Sequence, residues 1–251
     1  MHHENQTSQA GKTLPRNGFT FKKFFVAHDK CAMKVGTDGV LLGAWAPVIN
    51  SKRILDIGTG SGLIALMLAQ RTVFDVHVDG VELDADAANQ AIANVANSHW
   101  SERVIIIQSD IQQWVTQCKE TYQLIVSNPP YFSSGSECAT SARATARYTT
   151  TLNHQTLLYC AEQLLDKQGV FCVILPFMAA ETLLSLACAQ GWYLKQRMDI
   201  SDTVLRPVNR VMLALGRYQT ECSHQSMTIR DAEHNYSVAY RQLTRDFYLS
   251  C

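Results

Sequence analysis

Asp56-Ile57-Gly58-Thr59-Gly60-Ser61-Gly62 is the densest chemical feature of the 251-residue chain. It follows a short apolar run, Arg53 to Ile57, and leads into another, Gly62 to Gln70, so the glycines join a strand to a buried helix. Glycine lets the backbone turn sharply and approach a ligand that any Cβ would repel. A dinucleotide loop reads G-x-G-x-x-G and offers N–H groups to a pyrophosphate. Here the spacing is G-x-G-x-G, with an acid two residues ahead. Asp56 would repel an anion but suits the α-ammonium of a zwitterionic amino acid, directly or through water. Glu82 closes the next apolar run, Val76 to Leu83, where a carboxylate can accept both hydroxyls of a ribose. Asp110 follows a third, Val104 to Ser109, where it could accept a proton from an adenine amine. Each acid alone could equally cap the helix after its strand, as could Asp84. Together they describe a ligand with an amino-acid head, a ribose and an adenine, the parts of S-adenosyl-L-methionine.

Asn128-Pro129-Pro130-Tyr131 ends a fourth run, Tyr122 to Ser127. The prolines stop a sheet ladder because neither donates a hydrogen bond. A rigid turn explains them, but not the asparagine or the aromatic after them. An amine conjugated to a heteroaromatic ring is planar and a poor nucleophile. The Asn128 side-chain oxygen and the Pro129 carbonyl would hold its hydrogens and favour a pyramidal nitrogen, most strongly as positive charge develops. Tyr131 offers a stacking face to a base drawn out of its neighbours. The sulfonium is already an activated donor, so neither a metal nor a cysteine nucleophile is expected.

These residues need strands that end on a common edge. Alternating strand and helix patterns supply them, with a fifth strand at Gly169 to Leu175 and helices from Asp84 through Asn97, Leu152 to Leu165 and Ala179 to Gln190. In the first of these helices the alanines suggest close packing and the asparagines an exposed face. Gly191 is placed to cap the last in the left-handed region. Trp192–Ile200 and Arg210–Tyr218 have no helical crossover between them and pair best as an antiparallel hairpin, before a terminal helix at Tyr236 to Tyr248. The expectation is an α/β fold, a seven-stranded mostly parallel sheet with an antiparallel C-terminal hairpin. Residues 1 to 18 read as a disordered polar tail, and 19 to 251 as one domain.

Apolar residues make up 47% of the chain and charged ones 18%, and 22 basic side chains balance 22 acidic. Neutrality argues mildly against a nucleic-acid partner, yet phosphates respond to local patches. The eight cysteines form no C-x-x-C pair, no signal peptide opens the chain, and its longest apolar run is too short to span a bilayer. A reduced, cytoplasmic protein is expected, with neither membrane nor metal involved.

The combination Asp56-x-Gly-x-Gly-x-Gly, Glu82 and Asn-Pro-Pro-Tyr resembles the S-adenosylmethionine-dependent amino-methyltransferase superfamily, which includes adenine-N6, cytosine-N4 and glutamine-N5 enzymes. Phe24-Phe-Val-Ala-His-Asp-Lys-Cys-Ala-Met-Lys-Val-Gly-Thr-Asp-Gly-Val-Leu-Leu-Gly-Ala-Trp45 is similar to the bacterial tRNA1(Val) adenine-N6 methyltransferase family, which modifies adenine 37 beside the anticodon. The resemblance runs from about Phe19 to the C-terminus and implies a Rossmann-like class I methyltransferase fold. It places Lys34, Gly36, Thr37 and Asp38 at the methionine end of the cofactor. Leu83 and Ile111, next after Glu82 and Asp110, complete the cofactor set, which Asn128 also borders. Read from residue type alone, Thr37 or Asp38 would equally cap a helix running to Trp45.

A tRNA anticodon stem-loop would meet basic groups in two places, with the enzyme expected as a monomer. Arg143 and Arg147 lie in the polar loop after Tyr131. Lys195, Arg197, Arg206 and Arg210 lie around the terminal hairpin, offset by Asp199 and Asp202, where an ordinary solvated face is an equal reading. Another exocyclic amine of RNA, or a protein glutamine amide, could also sit against Asn-Pro-Pro-Tyr, although too little chain precedes residue 53 for a peptide-binding domain. A non-catalytic nucleotide-binding module would not need Asn128 to Tyr131.

Overall fold

The computed structural model describes residues 17–31, 33–130 and 152–249. Five parallel strands form its centre: β3 (Arg53–Ile57), β4 (His77–Glu82), β5 (Val104–Gln108), β6 (Tyr122–Ser127) and β7 (Leu165–Pro176). The runs are β-branched and apolar on both sides, as strands covered on both faces must be. The terminal hairpin is antiparallel as expected, with β9 (Val208–Gly216) pairing β7 on one side and β8 (Tyr193–Ser201) on the other. All seven expected strands are present. An eighth, β10 (Ser223–Thr228), adds in parallel to β8, giving the order β10-β8-β9-β7-β6-β3-β4-β5. Most of β10 is exposed and polar, so no two-residue apolar period marks it; backbone pairing places it, helped by Met227 in the core and by His224 Nε2 against Asp199 Oδ2 at 2.9 Å.

Helices α1 (Thr37–Trp45), α2 (Leu63–Arg71) and α3 (Ala85–Ala96) are joined by α4 (Ile111–Gln117), α5 (His154–Leu164), α6 (Phe177–Ala189) and α7 (Val238–Thr244). One core unites Leu41, Leu66, Met67 and Val78, and the other Ile125, Leu158, Phe171 and Leu183. Where α1 crosses α2, a Cβ on Gly43 would stand 2.7 Å from Met67 Sδ, so the helices approach closely only because a hydrogen is there. Asp84 caps α3 by accepting from the Ala87 N–H, Asn97 ends that helix, and Gly191 follows α6 at φ 76°. The terminal helix is shorter than its pattern implied. Ser237 caps it, and Tyr236 is instead in a bridge to Arg230.

Two short strands, β1 (Gly18–Thr20) and β2 (Phe25–Ala27), make a separate antiparallel pair. The reading of α3's asparagines as an exposed face needs correction, because Asn94 is buried and fastens this pair to the sheet. It donates from Nδ2 to the carbonyls of Ala27 and Ser61, both at 2.8 Å, and accepts from the Ala27 N–H at 3.0 Å. Gln90, one helical turn earlier, accepts from the Lys30 N–H at 3.3 Å. Chain entering from the N-terminus is thereby held beside the glycine loop.

Candidate active site

The ends of β3, β4, β5 and β6 lie side by side on one edge. Ile57 is level with Val81 and with Ser127, and Glu82 with Gln108. The carboxylates and the asparagine therefore converge. Between β3 and β4 the chain forms the loop that the glycines permit, with Gly58, Gly60 and Gly62 at φ 73°, 56° and 81°. A Cβ on Gly58 or Gly60 would meet nothing within 4 Å, so these glycines serve the left-handed turn and leave open space above it. The loop is pinned to β4 by Gly58 and Thr59 N–H groups donating to the Val81 carbonyl, at 2.9 and 3.2 Å.

Glu82 is buried, and each oxygen already has a backbone donor: Gly60 N–H reaches Oε2 at 2.8 Å and Asp84 N–H reaches Oε1 at 2.9 Å. A carboxylate offers about four acceptor sites, so this bracing leaves capacity for ligand hydroxyls. Asp110 combines both readings of the strand-end acids. Its Oδ1 accepts from the Gln112 N–H at 2.8 Å, capping α4, while the residue lines a cleft with Ile57, Gly58, Val81, Leu83, Ser109, Ile111 and Leu152. The cleft encloses about 280 Å³, part of it open solvent, and its apolar walls suit a flat heteroaromatic ring beside one carboxylate.

Asp56 lies beneath the loop, fully buried, with Oδ2 accepting from the Thr59 hydroxyl at 2.6 Å. Its Oδ1 accepts no hydrogen bond among the described residues. Burial raises its pKa to about 7; the hydroxyl of Thr59 and the N–H of Ala65 pull the other way, and nearby Glu82 pushes it higher. Asn128 follows β6, beside β3, and its Oδ1 is likewise buried with no hydrogen-bond partner among the described residues. Pro129 and Pro130 come next. Tyr131, Arg143 and Arg147 lie outside the described residues.

The segment implied at the methionine end runs from Lys34 and Gly36, both exposed, into α1. His28 Nδ1 accepts from the Val35 N–H at 3.1 Å, and burial followed by the nearby Lys34 charge lowers the His28 pKa, favouring the neutral ring that can accept. Neither Thr37 nor Asp38 is the cap of α1. That position is Gly36, without a side-chain bond. Asp38 instead receives Nε of Arg210, whose Nη1 donates to Asp202 at 2.8 Å.

Arg210 is thus a brace between α1 and the β8–β9 hairpin, a role invisible in a sequence where 172 positions separate the partners. Arg197 is similarly engaged, by Glu181 and Asp199 at 2.7 Å each, with 13% of its side chain exposed. Lys195 Nζ rests over the Tyr218 ring, 3.4 Å from its centroid. Of the four expected hairpin cations, only Arg206 has no side-chain partner among the described residues. Sequence reasoning also missed Asn94 and Gln90, although amides spaced four apart among Ala87, Ala91 and Val95 are a sign of a buried polar seam. Among the described residues no group of His, Cys, Asp and Glu could hold a metal ion, and no helix is long and apolar enough to cross a membrane.

The methyltransferase small domain family model matches residues 35–190. A tRNA1(Val) (adenine(37)-N6)-methyltransferase of Erwinia tasmaniensis is 61% identical over 94% of this chain and 96% of its own length. One from Escherichia coli O157:H7 is 55% identical, over 96% and 99%. The crystal structure of an Agrobacterium tumefaciens protein described as a predicted O-methyltransferase superposes with a TM-score of 0.64, covering 84% of this chain and 96% of that one at 16% identity, a likeness of fold alone. On the family model and on these relatives, matched at 55–61% identity over nearly their whole length, the chain belongs to the methyltransferase small domain family and, within it, to the family of tRNA1(Val) (adenine(37)-N6)-methyltransferases.

Proposed function

We propose that this chain transfers the methyl group of S-adenosyl-L-methionine to the N6 amine of adenine 37 in the anticodon loop of tRNA1(Val), acting as a cytoplasmic monomer. The observation that carries the reading is Asn128 Oδ1, a buried acceptor without a donor among the described residues at the edge of the cofactor cleft. Such an atom costs about 1–3 kcal/mol unless a ligand satisfies it. An exocyclic amine brings the missing N–H.

The donor set fits the cofactor's parts. Glu82 would accept from the ribose hydroxyls, Asp110 and the apolar cleft would receive the adenine, and Asp56 would face the ammonium beneath the loop. The cofactor supplies a sulfonium-activated methyl group. Asn128 Oδ1 and the Pro129 carbonyl would hold the two amine hydrogens, turning the nitrogen lone pair towards the methyl carbon. These contacts strengthen as the nitrogen gains positive charge, which lowers the barrier more than it aids binding. Alignment of the nitrogen with the breaking carbon–sulfur bond supplies further acceleration. The proton leaves after transfer, so a strong general base is unnecessary.

The test is methyl transfer from labelled cofactor to tRNA1(Val) transcript, with nucleoside mass spectrometry naming base and position. Asn128→Ala should lower kcat by about a hundredfold or more, as loss of one transition-state hydrogen-bonding group does, with cofactor affinity nearly intact. Wild-type turnover in that variant would remove Asn128 from the mechanism, and methyl groups found elsewhere than on adenine 37 would overturn the substrate assignment.

A further inference from the structure

The turn between β8 and β9 has a composition its own fold does not explain. Val204 is 63% exposed and Leu205 88% exposed, and Arg206 follows with an exposed side chain that makes no hydrogen bond or ring contact among the described residues, its charge acting on nearby Asp202. Apolar tips are ordinarily avoided on loops. This one is held rigid from below: Arg210 ties Asp202 to Asp38 of α1, Asn209 Nδ2 donates to Asp202 Oδ2 at 2.9 Å, and the Arg206 N–H reaches the Thr203 carbonyl at 3.1 Å. Both neighbouring acids, Asp38 and Asp202, are bonded to Arg210, and Asp202 is shared with the Arg206 charge, so the exposed tip keeps a cation with only part of one acid against it.

The position is equally informative. β7 stands between β6 and β9; Val173 is level with Ser127, and Pro176 with Arg210. Three residues of strand are about 10 Å, and two strand spacings about another 10 Å. The turn therefore rises above the catalytic edge, roughly 10 Å to the side of Asn128 and beyond its level. It cannot touch the base against Asn128, but it can touch the nucleotides next to it.

We propose that Val204, Leu205 and Arg206 form a docking tip for the single-stranded RNA flanking the target adenine, with Leu205 packing against a splayed base and Arg206 meeting a phosphate. Apolar side chains and arginines recur together where proteins hold unstacked nucleotides. The exposed cation beside an apolar tip, next to the catalytic edge, favours a polyanion over a protein partner. The inference rests on RNA being the substrate, and its test separates the two.

The test uses the full chain and a synthetic anticodon stem-loop containing the target adenine. In Leu205→Trp, emission in excess of wild type should change saturably as the stem-loop is added, over the same concentrations that saturate methylation. Val204→Ser/Leu205→Ser should raise KM for the stem-loop about tenfold, with kcat at saturating RNA and cofactor affinity within about twofold of wild type. Arg206→Ala should reduce the slope of log affinity against log salt by about one. Full methylation by Leu205→Trp with an unmoved emission would overturn the docking tip and leave the proposed function standing. Absence of RNA methylation by wild type would overturn both. A concentration-dependent emission change without RNA would assign the tip to self-association and overturn the inference.

Discussion

Asp56 is buried without a counter-ion, and replacing it with asparagine should make the free protein more stable while making it a poorer enzyme. Its carboxyl titrates near 3.8 when unfolded and near 7 when folded, chiefly because burial disfavours the anion. Between those values the folded state holds a proton that the unfolded state has lost. Stability therefore falls as pH rises through this window, is unaffected below it, and bears the full penalty above about 7. Each pH unit of the interval is worth about 1.4 kcal/mol, so the penalty is on the order of 4 kcal/mol. Asparagine keeps an oxygen for the Thr59 hydroxyl and has no anion to desolvate. Urea unfolding of wild type and Asp56→Asn at fixed ionic strength, from about pH 5 to pH 8, should give a difference that grows with pH in favour of the variant; titrations elsewhere cancel in that difference. Cofactor affinity should move oppositely, falling at least about tenfold because a charged hydrogen bond to the ammonium is lost. A stability difference constant across the pH range would refute the buried-anion argument, and unchanged cofactor affinity would refute the ammonium role.

Two further perturbations probe the scaffold under the site. Arg210→Ala removes the bonds to both Asp38 and Asp202 and leaves Asp38, 13% exposed in its side chain, without that cation; the loss should lie between the exposed and buried limits, about 2 kcal/mol by urea unfolding, and a change under about 0.5 kcal/mol would show that the brace is ornamental. Gly43→Ala drives a methyl to within 2.7 Å of Met67 Sδ and 3.0 Å of its Cβ, so it should cost about 1–3 kcal/mol despite alanine's better helix propensity. An unchanged or raised Tm would mean that α1 and α2 separate at no cost.

Legibility in the sequence tracked how local the physics was. The glycine loop could be read because left-handed backbone is a property of single residues, and Gly58, Gly60 and Gly62 all adopt it. Asp84 and Gly191 could be read because caps act within one helical turn. Strands β3 to β7 and β9 could be read from their apolar runs, and β8, partly exposed along most of its length, from its alternation. β10 could not, since an exposed edge strand held by backbone pairing puts no pattern on its side chains. The hairpin cations misled for the opposite reason. Arg197 and Arg210 have the residue type of a phosphate contact, and only the fold reveals the acids that engage them. Asn94 similarly takes its meaning from Ala27 and Ser61, brought to it by tertiary packing.

The unsatisfied atoms at the cleft discriminate between ligands more sharply than the glycine spacing does. Asp56 Oδ1 and Asn128 Oδ1 are both buried, both without donors among the described residues, and lie at the end of β3 and just past the end of its neighbour β6, Asp56 level with Val126. Glu82 and Asp110 add further acceptors beside them. A pyrophosphate brings only acceptors and negative charge, so in this edge it would leave Asp56 Oδ1 and Asn128 Oδ1 unmatched and repel the carboxylates. A ligand pair bearing an ammonium, ribose hydroxyls and two amino groups brings donors to each. Native folds keep few buried polar atoms unpaired, and those they keep call for an explanation. Here the explanation is complementarity: the edge is short of donors because its ligands carry them, and the free enzyme is less stable for it.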